Sequence, residues 1–199
     1  MNKVIDKKIP TPCINEVNIY LSKWNDLESY VAQEDSLTKL FAKTYPQNVS
    51  IDEVLIKVAV LNDFYSTNIF KTYNVAKRIV DLKIDTRLAQ NDVTLVNDIA
   101  KVDVGDGKMK NFYSFATKYC SHHKPLDYPI YDSFVDKVLC YFRRTDKFSK
   151  FKNNELKDYA KFKNVLIEFR TFYNLEEFSL KDIDKYIWQL GKEVFPKSY

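Results

Sequence analysis

Apolar residues recur along this chain at three- and four-residue intervals, the spacing that gathers them on one face of a helix. Val54, Leu55, Val58, Leu61 and Tyr65 form one such stripe, opened by Ser50-Ile-Asp-Glu53, which reads as a capping box. Ile69, Tyr73, Ala76, Ile79 and Val80 keep the period over 68–82. Asn91 or Asp92 is placed to cap a third helix through Leu95, Val96, Ile99 and Val102. After a turn at Val104-Gly-Asp-Gly-Lys108, the pattern resumes with Phe112, Phe115, Ala116, Tyr119 and His123. Pro125 and Pro129 then impose an extended connector, and Asp132-Ser133 is a strong cap for a helix burying Val135, Val138, Leu139 and Phe142. Two amphipathic helices, about 154–173 and 179–195, complete the pattern.

Composition supports this all-α reading. The 199 residues hold three glycines and six prolines, too few for the many tight turns of a strand-rich fold. Apolar residues make up 45% and aromatics 15%, enough to fill one unusually aromatic core. No repeat or long linker divides the chain, so residues 1–199 are read as a single helical domain. The N-terminal stretch 1–12 alternates charged and apolar residues, unlike a signal peptide, and no run approaches the ~20 apolar residues that span a bilayer. Cys13, Cys120 and Cys140 are sparse and unpaired in spacing, which argues against a disulfide framework. A cytoplasmic protein without membrane association is expected.

Charge adds a local feature. The net charge is +4, yet residues 143–163 hold eight basic side chains against Asp146, Glu155 and Asp158. The positive excess therefore sits in that one segment. Within it, Lys147-Phe-Ser-Lys-Phe-Lys152 interleaves rings with cations, as single-strand binders do, although a solvated loop explains the same pattern.

The runs Asn111-Phe-Tyr-Ser-Phe-Ala-Thr-Lys-Tyr-Cys120 and Tyr128-Pro-Ile-Tyr-Asp-Ser-Phe-Val135 resemble the helix-hairpin-helix DNA glycosylases. The likeness is strongest to a bacterial branch of 8-oxoguanine-glycosylase-like proteins that share the Pro-Ile-Tyr-Asp-Ser pattern. It implies a two-lobed helical fold with a cleft between the lobes and a hairpin-like core over about 92–144. It also implies a glycine hairpin gripping DNA phosphates and a helix-capping aspartate, matched in position by Asp132. The family's usual interval from that aspartate back to a Schiff-base lysine reaches Tyr113 and Ser114. Hydrolysis without a covalent intermediate is accordingly expected.

Cleaving an N-glycosidic bond passes through an oxocarbenium-like transition state, which a nearby carboxylate stabilises. Asp132 is the candidate, although an aspartate before a helix is often only a cap. Ser114, Lys118 and His122 fall at i, i+4 and i+8, one polar stripe. Facing Asp132, this stripe would make Lys118 an anchor, a phosphate ligand or an amine nucleophile; facing solvent, it would be inert. A flipped base needs an aromatic pocket, for which Phe64, Tyr65, Tyr113, Tyr128 and Tyr131 are candidates beside Ser114 and His122. Gly105, Gly107, Lys108, Lys110, Arg143, Arg144 and Lys147 are the candidate DNA contacts. Cys120, His122 and His123 lack metal-site geometry, and neither a metal nor another cofactor is expected. The sequence thus points to a DNA-binding protein that excises a damaged base. The alternative is a non-catalytic adaptor that kept the fold and binds nucleic acid or a protein.

Overall fold

Helix dominates, as the scarcity of glycine requires. The computed structural model describes residues 9–195, so 1–8, most of the stretch that reads as unlike a signal peptide, lies outside the described residues. The chain runs through α1 (Ile14–Asn25), α2 (Glu28–Thr38), a π-helical turn (Lys39–Thr44), α3 (Ile51–Phe64), α4 (Thr72–Asp81), α5 (Ile84–Ala89) and α6 (Leu95–Ala100). A two-stranded antiparallel hairpin follows, β1 (Lys101–Asp103) with β2 (Met109–Asn111), pairing Val102 with Lys110. Then come α7 (Tyr113–His123), α8 (Ser133–Thr145), a 3-10 turn (Asn153–Lys157), α9 (Tyr159–Phe172) and α10 (Leu180–Val194).

The caps decide several boundaries. Asp132 Oδ1 accepts the Phe134 amide at 2.8 Å and the Val135 amide at 3.0 Å, as expected of the residue that opens α8. Asp158 caps α9 through the Lys161 amide, so that helix begins at Tyr159, after the 3-10 turn. A capping box does form, but at Ser179 and Asp182 of α10 rather than at Ser50. The Ser50 hydroxyl instead donates to Asp52, which leaves the box read from sequence unmade. Two other expectations shift. The stretch 68–71 is irregular, with Asn68 at φ 56°, so α4 starts only at Thr72. Val102 sits in β1, not in the third helix.

The helices sort into two packed groups around one continuous core. In one group α3 packs on α4 and α7, and α6 packs on α7. In the other α10 packs on α1, α8 and α9. Gly191 of α10 lets α8 approach so closely that a Cβ there would lie 2.8 Å from Phe134 Cβ.

A buried polar knot holds α7 in the first group. Lys57 of α3, fully buried, donates to Tyr45 O, Gln47 O and Asn48 Oδ1 at 3.0, 2.8 and 2.7 Å. Asn48 Oδ1 also accepts from Tyr119 Oη at 2.6 Å and His123 Nε2 at 3.1 Å, both on α7. Every donor of the ammonium is matched, the condition for burying one at tolerable cost. With Tyr119 and His123 fixed this way, the remaining face of α7, bearing Ser114 and Lys118, is aimed at a cleft.

Candidate functional site

That cleft, of about 960 Å³, is bounded by the end of α3, the start of α7, the α7–α8 connector and α10. Tyr65, Tyr113, Ser114, Lys118, Tyr131 and Asp132, all singled out from the sequence, line it together. A smaller compartment of about 90 Å³ adjoins it, sharing Tyr30, Phe64, Tyr65, Lys118, Asp132 and Trp188 as common wall.

Lys118 is 5% exposed, and its ammonium lies 5.1 Å from the centre of the Tyr65 ring. It donates to Ser114 Oγ at 2.6 Å and to Ser114 O at 3.3 Å, one turn back on the same helix. Burial pulls its pKa below the ordinary lysine value, against the opposing charges of Asp132 and Asp184. Asp132 spends Oδ1 on the α8 cap, and its other oxygen has no hydrogen bond among the described residues. The cap therefore leaves half of the carboxylate for other chemistry.

The aromatic walls are held by their own polar ends. Tyr113 donates to Leu156 O at 3.0 Å and Tyr131 to Asp136 Oδ2 at 2.7 Å, with 4.9 Å between their ring centres. Tyr65 meets His122 Nε2 at 3.0 Å. His122 lies behind Tyr65 and lines neither cavity, so its expected pocket role becomes one of support. Burial, reinforced by the charges of Lys181 and Lys118, pushes His122 down to about 3 and keeps it neutral. Of the polar stripe, Lys118 is buried while Ser114 and His122 are half-buried, so it is not a freely solvated face.

Three further expectations are corrected. Tyr128 is fully buried, stacked on Tyr159 and donating to Asp92 O, so it belongs to the core and not to the pocket. Arg143 donates to Phe151 O at 2.6 Å and Asn153 Oδ1 at 2.8 Å, which commits its fork to the 147–153 loop rather than to phosphate. Phe148 and Phe151 are 7% and 8% exposed and pack inward, so the loop does not interleave rings with cations on its surface. Arg144, Lys147, Lys150 and Lys152 do remain exposed there. Lys157 from the same basic segment stands at the rim of the main cleft.

Gly105 and Gly107 adopt φ 111° and 69° at the tip of the β-hairpin, with Lys108 and Lys110 exposed beside them. Positive φ at both glycines is what this turn demands of them. The hairpin base, Asn111 and Phe112, borders the cleft.

Sequence reasoning missed the α1–α2 and α10 contribution. Trp24, Tyr30 and Glu34 from the N-terminal helices meet Lys181, Asp184 and Trp188 of α10 around the smaller compartment. Glu34 pairs with Lys185 at 2.7 Å and Lys181 at 3.3 Å. Asp184 is 5% exposed, and burial pushes it up to about 7 despite Lys181, the Ile130 amide and Lys118. The i, i+4 placement of Asp184 and Trp188 on α10 was the available signal.

The model of the family described as the HI_0787_N N-terminal domain matches residues 16–127, more than half of the chain. The chain belongs to the HI_0787_N family. The match covers α1 to α7, hence Lys118, while Asp132 and Asp184 lie beyond it. A Haemophilus influenzae protein, described as an uncharacterized protein, is 53% identical to this one over 149 residues, 74% of this chain and 71% of the relative. No solved structure matches the chain. No helix among the described residues of this HI_0787_N member is long and apolar enough to cross a membrane.

Proposed function

We propose that the cleft receives a base swung out of a DNA strand, and that Asp132 with Lys118 acts on its N-glycosidic bond. The observation that carries this reading is the convergence of Lys118 from α7 and Asp132 from the α8 cap on one aromatic-walled cavity. Buried amines and carboxylates that meet in a cleft are costly to fold around, and such sites are the usual home of acid–base chemistry. The reading takes α6, the β-hairpin and α7 as the counterpart of the helix-hairpin-helix element, and the protein as a cytoplasmic repair enzyme.

In the proposed hydrolysis the bond from C1′ to the base breaks, and the base leaves with the electron pair and takes up a proton. Water bonds to C1′, giving up its proton toward Asp132, whose charge offsets the developing oxocarbenium ion. Lys118, an N–H donor on the same wall, offers a hydrogen bond to the leaving base as negative charge develops on it.

One feature favours the adaptor alternative: Lys118 is hydrogen-bonded to Ser114 and makes no ion pair with Asp132. Release of free base from a panel of oligonucleotides carrying damaged bases separates the two. Release by the wild type, abolished in Asp132→Asn, supports the enzyme. Binding without release from any member of the panel supports the adaptor.

A further inference from the structure

Both tryptophans of the chain, Trp24 and Trp188, line the smaller compartment. They stand edge to face, 5.9 Å between centres, and Tyr30 meets Trp188 at 5.1 Å. Two polar groups there are only partly engaged. Asp184 Oδ2 accepts the Ile130 amide at 3.2 Å, and its other oxygen has no hydrogen bond among the described residues. Lys118 gives two bonds to Ser114, both at the same residue, and an ammonium has three N–H donors. A spare acceptor, a spare donor and aromatic rings lining one compartment suit a flat ring that carries a donor and an acceptor side by side.

We infer that this compartment is a recognition site for the lactam edge of a heterocyclic base, its ring N–H given to Asp184 and its carbonyl oxygen to Lys118. The inference rests on the reading of the cleft as a nucleobase site and names the class of base. A lactam carbonyl is a strong acceptor for an ammonium, and a ring N–H is a more acidic donor than an exocyclic amine. The amino–imine edge of adenine or cytosine makes the weaker pair. At about 90 Å³ the compartment admits a ring edge, while the sugar stays in the 960 Å³ cleft. Sites built to hydrogen-bond one edge reject the analogue that leaves their buried polar groups unmatched.

The experiment titrates 1-methyluracil, 9-methylhypoxanthine, 1-methylcytosine and 9-methyladenine, each blocked where the sugar would be, into the full chain and follows tryptophan emission, since both indoles line the compartment. The two lactam bases should quench emission with affinity about tenfold tighter than the two amino bases. Asp184→Asn should erase that preference: its oxygen keeps the Ile130 bond and its amide turns the facing acceptor into a donor. Should Asp184→Asn melt early, Lys118→Gln must weaken the lactam bases in its place. Equal quenching by all four bases, no quenching by any, or a preference unchanged in folded Asp184→Asn overturns the inference. Oligonucleotide binding and base release, measured on the same protein, tell the failures apart. If they persist without a lactam preference, the inference alone falls; if they too are absent, the nucleobase reading falls with it.

Discussion

Gly191 of α10 abuts Phe134 of α8, and a Cβ on the glycine would lie 2.9 Å from the Phe134 carbonyl oxygen. Both neighbours are backbone or Cβ atoms that no rotamer change can move. Gly→Ala inside a helix ordinarily gains up to ~1 kcal/mol. Here the sign should reverse, with Gly191→Ala costing ~1–3 kcal/mol from overpacking. Chemical denaturation checks the direction, and a stabilised variant would contradict the packing of α8 on α10.

Asp132→Asn keeps an oxygen for the Phe134 and Val135 amides, so its melting temperature should stay close to wild type. Asp132→Ala loses the cap and should cost about 1 kcal/mol. Base release should vanish in both. Full activity in Asp132→Asn would reduce the residue to a cap.

The resemblance places no lysine at the Schiff-base interval before Asp132, and the proposed hydrolysis forms no covalent adduct. Borohydride, which traps only an imine between amine and sugar, should therefore capture no adduct on a substrate that the wild type cleaves. An adduct that is lost in Lys118→Ala would make Lys118, the buried amine of the cleft, the nucleophile.

Nucleic-acid affinity should fall steeply with salt. Replacing the exposed Arg144, Lys147 and Lys150 by Ala should flatten the slope by about one for each phosphate no longer neutralised. Arg143→Ala should instead destabilise the protein, because its guanidinium carries the 147–153 loop. Fluorescence anisotropy at several salt concentrations and a melting curve distinguish the two effects.

Stability should fall as pH drops from 7 to 4. Burial holds His122 and His123 down at about 3, so the unfolded chain binds their protons first and is favoured below about 6.5. Asp184, pushed up to about 7, works the other way: the folded state takes its proton first and gains as pH falls. Lys181 on its own helix, Lys118 on α7 and Asp132 at the α8 cap are the charges that face it. Asp184→Asn removes the opposing effect, so its melting temperature should fall more steeply over that range. A shallower fall would mean that Asp184 is already ionised at acid pH.

Local signals in the sequence carried most of the helices and half of the site. Asp132 was readable because a cap is defined by its immediate neighbours, a proline-stiffened connector before it and an apolar stripe after it. Ser50 shows the limit of the same rule: the residue types were right, but Asp52 competed for the hydroxyl. The turn at 104–108 showed in its glycines, but the strands on either side escaped because three residues are too short to show alternation. Tyr128 and Tyr131 are equally aromatic and neighbouring, and only packing against Tyr159 sends one inward. Trp24, Asp184 and Trp188 were illegible as a group, since nothing local reports that the first and last helices meet.

That meeting has a consequence during synthesis. Tyr20 of α1 bonds Glu193 at 3.0 Å and accepts from Gln189 at 2.8 Å, and Glu34 of α2 pairs with Lys185. A ribosome makes these helices well before α10. Until α10 emerges, Trp24, Tyr30 and Glu34 have no opposite wall, and the apolar face of α1 waits uncovered. The second group of helices, and with it the smaller compartment, can close only once α10 has emerged, the slow order of events that long-range pairing imposes. A nascent chain truncated before 180 carries Lys118 and Asp132 without the wall that α10 supplies.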